Sequence, residues 1–410
     1  MTLSDSFRRL LDAPAPLRVA VFAYLAHLLC QGWIGSSETF LGIALIGIGL
    51  AWKRRGLSVP FHPLYLPLAL FAVGSILSAA FSDRPLISLA NANEWFAFLA
   101  FPLALALYAR FPTLPRLAIT MLLVLGSLQS LYGLVQFFAF GHDALERRIM
   151  GTTAHVMTYS GILLPLCLMF IALALGRERR AWFALGAALT SLAIVLTFTR
   201  GAWLGWMTGL AVLFLMRRPR FLLYLAPILL LAITFSPLPL FARLVSSFDF
   251  QQTSVLDRIR MTQAGVEMIR DHPLLGVGPS NVKEVYPLYR QPDAPRFRIP
   301  HLHNNPVQIW AERGLLPFVA WALLQIMFLR DALSRRGDPR ARDWAEGGIA
   351  ATCGLLVAGL FEYNFGDTEV LLTTLAVWAL TLAGPGGDAT PVAGSERRSE
   401  ALPRAGESPA

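Results

Sequence analysis

His301 and His303 stand two residues apart in the run PHLHNN, just ahead of a long apolar stretch. An imidazole that is neutral near pH 7 can take the proton of a hydroxyl nucleophile, so the pair offers a general base. A metal ion is the weaker reading of this spacing, because two histidines on a loop do not complete a ligand set. Surface histidines without a role are also common. Arg200 lies in TRGAW, between two apolar runs. A cation so near hydrocarbon either faces a cavity or partner or snorkels to the lipid headgroups. Arg258, Arg260, Arg270, Arg290, Arg296 and Arg298 make residues 242–305 basic. A guanidinium presents paired donors that match phosphate oxygens, which points to a diphosphate clamp; contact with anionic lipid is the alternative. Composition does not single out one of these arginines. Asp367 and Glu369 form a D-x-E pair able to hold Mg²⁺ against a diphosphate. The preferred reading of that pair is a polar turn between two spans.

The elements that must position these residues are membrane helices. Of 410 residues, 55% are apolar and 15% charged, against roughly 25% charged in soluble proteins. The mean hydropathy is +0.54. A soluble domain of this length has too little interior for so much apolar surface, so soluble, disordered and fibrous classes are excluded. The net charge of +9 is almost all arginine, with Lys53 and Lys283 the only lysines. Arginine clusters between spans set orientation, which explains the charge better than nucleic acid does. Cys30, Cys167 and Cys353 are far apart and show no CxxC or CxH spacing, so neither a disulfide framework nor a thiolate site is expected. No cleavable leader is evident before the first span. The sequence holds no GxxxxGK[ST], HExxH or GxSxG and no opening dinucleotide-binding glycine pattern.

Apolar runs of about 20 residues predict an all-α polytopic protein with about twelve spans. The expected units are residues 1–241 with nine spans, a large outer loop over 242–305, three spans over 306–383, and a disordered cytoplasmic tail over 384–410. The first two spans are expected over Arg18 to Ile34 and Thr39 to Trp52, with a turn carrying Glu38 between them. Span nine is expected over Phe221 to Phe241 and span ten over Pro306 to Leu329. The arginine-rich breaks fall on the side of the N-terminus, so both termini are expected in the cytoplasm. The outer face then receives the 82–94 and 141–155 loops, the TRG turn, residues 242–305 and the short loop EYNFGDTE. Within the large loop, Ser254 and Asp257 read as a capping box opening an amphipathic helix. Val255, Ile259, Val266 and Ile269 recur at helical spacing, and the helix should stop near Asp271-His272-Pro273.

The run HNNPVQIWAERGLLP, from His303 to Pro317, resembles the signature of bacterial O-antigen ligases and related polymerases. His303, Asn304 and Gly314 fit that signature, and Pro317 departs from its last position. TRGAWLG resembles the family's S-R-G-x-x-x-G turn, with Thr199 in place of Ser. DRIRMTQAGVEMIRDHPLLGVGPSN resembles its loop helix, with the P-L-x-G-x-G-x-N ending. RRIMGTTAH resembles a shorter outer loop, although His155 stands where Asn is frequent. The similarity covers roughly Arg147 to Leu329.

The resemblance implies an inverting glycosyltransferase of the bacterial inner membrane with its site on the periplasmic face. It would move a glycan from undecaprenyl diphosphate to a hydroxyl of lipid A core oligosaccharide, without metal or other cofactor. Carried over by position, His303 would be the general base, and Arg200 and Arg258 would bind the diphosphate. Arg260, Arg296, Arg298, His301 and Asn304 are possible accessories. The expected partners are the two lipid substrates and membrane lipid, not nucleic acid. Polymerisation of O-antigen repeats and transfer to a protein stay open within the family, the latter opposed by the short tail. A transporter or flippase would show repeated halves and midplane polar residues, and neither is seen. A scaffold would not need Arg200 and His303 at span mouths.

Overall fold

The computed structural model describes residues 10–53, 59–90, 94–144, 146–177, 181–219 and 253–384. The expected ninth span, the start of the large loop and nearly all of the tail lie outside them. Among the described residues the regular structure is entirely helical. Helices α1 (Ala15–Leu29) and α2 (Ile34–Lys53) pair first, then come α3 (Tyr65–Ala80), α4 (Pro85–Ala90), α5 (Glu94–Phe98), α6 (Ala100–Arg110) and α7 (Leu114–Ala139). Next are α8 (Val156–Leu175), α9 (Ala181–Leu196) and α10 (Arg200–Arg217). The large loop carries α11 (Thr253–Asp271) and α12 (Val282–Tyr289). The last helices are α13 (Asn305–Arg313), α14 (Leu315–Arg335), α15 (Arg342–Ala358) and α16 (Thr368–Ala383). Among the described residues five candidate spans, Ile34–Lys53, Pro85–Arg110, Leu114–Ala139, Val156–Leu175 and Leu315–Arg335, are long and apolar enough to cross a membrane. Four shorter apolar helices accompany them.

Helix α8 is apolar on every face and buried along nearly its whole length, so it forms the centre of the bundle. Helices α9, α10, α15 and α16 pack around it. Hydrocarbon surroundings give little hydrophobic drive between helices, so close packing and interhelical hydrogen bonds must hold them together. Both are present. A Cβ on Gly205 of α10 would sit 2.5 Å from the Gly354 carbonyl of α15. Trp378 Nε1 of α16 donates to Thr352 Oγ1 of α15 at 2.9 Å. At one end of the bundle, Arg217 pairs with Asp343 and Glu346, and Arg336 pairs with Glu346 from the other side. These arginines neutralise carboxylates inside α15, a role that charge bias along the sequence does not reveal.

Three expected boundaries move. Glu38 lies inside α2, and the turn falls at residues 30–33, because Ser37 of the polar first turn packs on His27 of α1. Asp343 and Glu346 fall inside α15, which starts before the apolar run, since paired carboxylates are tolerated in a helix. The tenth span divides at Gly314, whose φ is +81°. Only its second part, α14, has spanning length, while α13 joins the large loop. Apolar content marks depth in hydrocarbon and not where a helix ends.

Candidate functional site

Four segments converge at the end of the bundle opposite that ion cluster: the start of α10, the first turns of α11, residues 301–304 before α13, and the turn after α15. Helix α10 is set by its glycine contact with α15, so Arg200 at its first position stands beside the turn that α15 leads into. A Cβ on Gly201 would already touch Phe361 Cβ at 3.1 Å. The backbone enters α10 through Phe198, at φ +51°, a conformation that non-glycine residues seldom adopt. The loop 301–304 is fastened to the same turn. Asn305 N donates to Gly359 O at 2.7 Å, Asn304 Nδ2 to Leu360 O at 3.0 Å, and Phe365 N to Asn305 Oδ1 at 3.1 Å. Asn304 also caps α13 by accepting from Val307 N.

The loop helices supply the outer wall. Leu302 is fully buried in a small core with Met261, Met268, Val282 and Tyr286. Its burial leaves His301 and His303, one residue either side, with ring centroids 4.2 Å apart and planes tilted by 57°. The stretch GVGPSN lies against α13: Val277 N donates to Ala311 O and Gly278 N to Glu312 O. A Cβ on Gly276, at φ +67°, would sit 2.5 Å from the Glu312 backbone. The glycines of these motifs thus position the site through backbone approach.

His303 takes φ +52° and its Nδ1 lies 2.9 Å from Glu362 Oε2 and 3.0 Å from Oε1. His301 Nε2 is 3.5 Å from Oε1 of the same carboxylate. Burial raises the Glu362 carboxyl, but the hydrogen bond from His303 and the nearby His303, His301 and Arg258 charges outweigh it and hold the pKa at about 2. Burial lowers His301 to about 4, against the pull of Glu362. Arg258 Nε donates to Phe361 O at 3.1 Å, and Arg200 Nη2 to Ser254 Oγ at 2.9 Å. Arg200, Arg258, His303 and Glu362 all line one cavity of about 500 Å³. Leu164, Leu204, Val255, Ile259 and Phe361 make much of its remaining wall apolar. The arrangement can hold an anionic headgroup beside an apolar chain and accept a proton at the same place.

Of the other sequence candidates, Arg296 pairs with Asp257 at 3.1 Å, close to His303. Arg260 instead binds Gln263 and Asp293, and neither it nor Arg298 lines the cavity. Ser254 lies one residue inside α11 and receives Arg200, so it is not the opening cap that the sequence implied. Asp367 caps α16 and accepts a short hydrogen bond from Thr158, a structural position outside the cavity. His155 caps α8 with Nδ1 accepting from Met157 N, as an Asn side chain would. The sequence alone does not mark Glu362, because a single carboxylate 59 residues from His303 forms no local motif. Nor does it single out Arg148, which stands near His303.

His301, His303 and Glu362 offer ligand atoms within 4.8 Å of one another, a possible metal grouping. A tetrahedral ion would hold its donor atoms about 3.3 Å apart. The 2.9 Å contact between His303 and Glu362 is instead that of a shared proton.

Comparison with known families places the O-antigen ligase family on residues 185–322. That span takes in α10, α11 and α13, with Arg200, Arg258, His301 and His303, and leaves out Glu362 and Arg148. No curated protein matches the chain.

Proposed function

We propose, from the O-antigen ligase domain at residues 185–322 and the geometry around it, that this chain is a glycosyltransferase ligating a lipid-linked glycan to lipid A core. The observation that carries the reading is the shared cavity. Arg200 and Arg258 stand in an otherwise largely apolar chamber, against an imidazole held by a carboxylate. The donor is undecaprenyl diphosphate bearing the glycan, with its first isoprene units along Leu204, Ile259 and Phe361. The diphosphate lies at Arg200 and Arg258, and the site faces the periplasm.

Glu362 accepts the Nδ1 proton of His303 and so leaves Nε2 as the basic nitrogen. The acceptor hydroxyl oxygen attacks the anomeric carbon and its proton passes to Nε2. The bond from that carbon to the phosphate oxygen breaks, and undecaprenyl diphosphate leaves. Attack from the face opposite the leaving group inverts the anomeric centre. Negative charge grows on the leaving diphosphate, where fixed guanidiniums stabilise it without rearrangement. The imidazolium formed is stabilised by Glu362, which is ionised at every relevant pH.

The test combines purified protein, undecaprenyl-diphosphate glycan and lipid A core. His303→Ala is expected to keep its fold and lose transfer by about 100-fold or more. Normal ligation by that variant would sink the mechanism. Activity is expected to survive EDTA; loss restored by a divalent ion would move His301, His303 and Glu362 to a ligand set. Glycan growth on the donor with none on core would make the protein a polymerase.

A further inference from the structure

On two helices the exposed apolar side chains recur one turn apart: Val73, Leu77 and Phe81 along α3 and its end, and Leu315, Val319 and Leu323 along α14. Helices α3 and α14 pack side by side, and a Cβ on Gly74 would sit 2.7 Å from Pro317 Cγ. Helix α14 is long and apolar enough to span a membrane, so its exposed face meets hydrocarbon. Membrane helices approach one another through small residues. This face carries large aliphatic ones, which suit lipid chains better than another helix.

Both stripes continue past the helix ends, at the site end of the bundle. Ser78 Oγ of α3 donates to Glu312 O at 3.0 Å, which sets the end of α3 level with the junction of α13 and α14. Leu315 N donates to Pro273 O and Leu274 O, each at 3.1 Å, so Leu274 stands at the first turn of α14. Phe81 leads directly into the short helix α4. Helix α12 is tied to α4 twice, by Asn281 Nδ2 donating to Ser88 Oγ at 3.1 Å and by Arg84 pairing with Glu284 at 3.2 Å. It buries Val282 and Tyr286 in the loop core, and Leu288 lies on its other side. The resulting exposure is 72% for Phe81, 81% for Leu86, 68% for Leu274 and 82% for Leu288. Large apolar side chains left this open around one end of two helices mark a contact surface. Trp310 stands beside them, stacked on Phe318 with its Nε1 donating to Pro273 O at 3.0 Å, and tryptophan favours the membrane boundary.

We propose that Phe81, Leu86, Leu274 and Leu288 form a shelf seated in the hydrocarbon edge of the leaflet at the site end, with lipid acyl chains as its partner. The shelf continues the lipid-facing stripes of α3 and α14 without a break. The loop that carries α11 and α12 is then fastened to the membrane and not suspended above it. The half-exposed Arg84–Glu284 pair lies where α4 and α12 meet, at headgroup depth, where both charges keep water. This rests on the membrane reading of the helices and not on the transferase reading.

Spin-label accessibility in lipid nanodiscs tests the shelf. Leu86→Cys, Leu274→Cys and Leu288→Cys are labelled one at a time with a nitroxide in the full chain. The signal of the labelled wild-type protein, whose Cys30, Cys167 and Cys353 are buried or half-buried, is subtracted. Pro292→Cys, at an exposed position of the same loop, is the reference for water. Oxygen concentrates in hydrocarbon, whereas a nickel chelate stays in water. Collision with oxygen is expected to exceed collision with the chelate at all three shelf positions, and the reverse is expected at Pro292. Water-like collision at any of the three overturns the proposal. So does little collision with either reagent, which would give the face to another part of this chain or to a second copy.

Discussion

The Glu362 carboxylate decides what His303 can do. A lone imidazole on a loop has no fixed tautomer, whereas Nδ1 held at 2.9 Å from a carboxylate leaves Nε2 as the base. Glu362→Gln is therefore expected to lower kcat about 100-fold or more with little change in acceptor KM, measured by glycan transfer in detergent. A change confined to KM would give Glu362 a binding role instead. The two shifted groups also set an acid sensitivity. His301 falls from 6.5 to about 4 on burial. Its folded pKa is the lower one, so the unfolded chain takes the proton first as pH falls. The associated stability is complete above pH 6.5 and is lost as pH falls through about 4. Glu362, lowered from 4.5 to about 2, has the same sign in the next interval down. The melting temperature should fall on acidification from pH 6.5 to 4, and His301→Gln should flatten that interval. An unchanged slope in that variant would assign the effect to other groups.

Helix contacts place these residues more than the residues place themselves. Gly205 lets α10 lie directly on α15, and this contact sets the start of α10, with Arg200, beside the turn holding Glu362. Gly205→Leu should force the helices apart, at a cost of about 1–3 kcal/mol. Its thermal unfolding should shift down, and donor use should weaken even though no substrate contact is removed. Gly276→Ala meets both an unfavourable φ and the Glu312 backbone, so it should loosen the loop from α13. Full activity and stability in both variants would show that these glycines are incidental. The motif glycines were visible as a pattern in the sequence. Their purpose was not, because close approach involves a partner carbonyl far along the chain: Gly354 for Gly205, and Glu312 for Gly276.

At the scale of the described residues, two groups of charges stand at opposite ends of the bundle. At one, Arg200 and Arg258 line a cavity; at the other, Arg217 and Arg336 neutralise carboxylates that begin α15. The Glu346 side chain is 1% exposed and sits between Arg217 and Arg336. Glu346→Ala would leave two guanidiniums without that partner, and breaking a buried pair costs about 3–5 kcal/mol. A clear loss of thermal stability is expected, without a change in acceptor or donor KM in the fraction that folds. A selective change in KM with unchanged stability would tie this end to the site. Orientation alone predicts neither result, since a topology marker acts through its charge and not through a single carboxylate contact.

The sequence by itself determined the helical class and its long apolar runs, marked Arg200 and His303 as chemical candidates, and reached Arg258 through the family resemblance alone. Apolar run length, charge bias and a few short motifs are local signals, so one chain suffices to read them. The start of α2, the division of the tenth span at Gly314 and the capping place of His155 depended on packing and backbone angles that hydropathy does not encode. Only the tertiary structure decided that Glu362 is the partner of His303, because 59 residues of chain separate them. It also decided that Arg260 turns to Asp293 while Arg296 stays near the imidazole. An arginine's type fixes its charge, but its role comes from which carboxylate the fold places beside it.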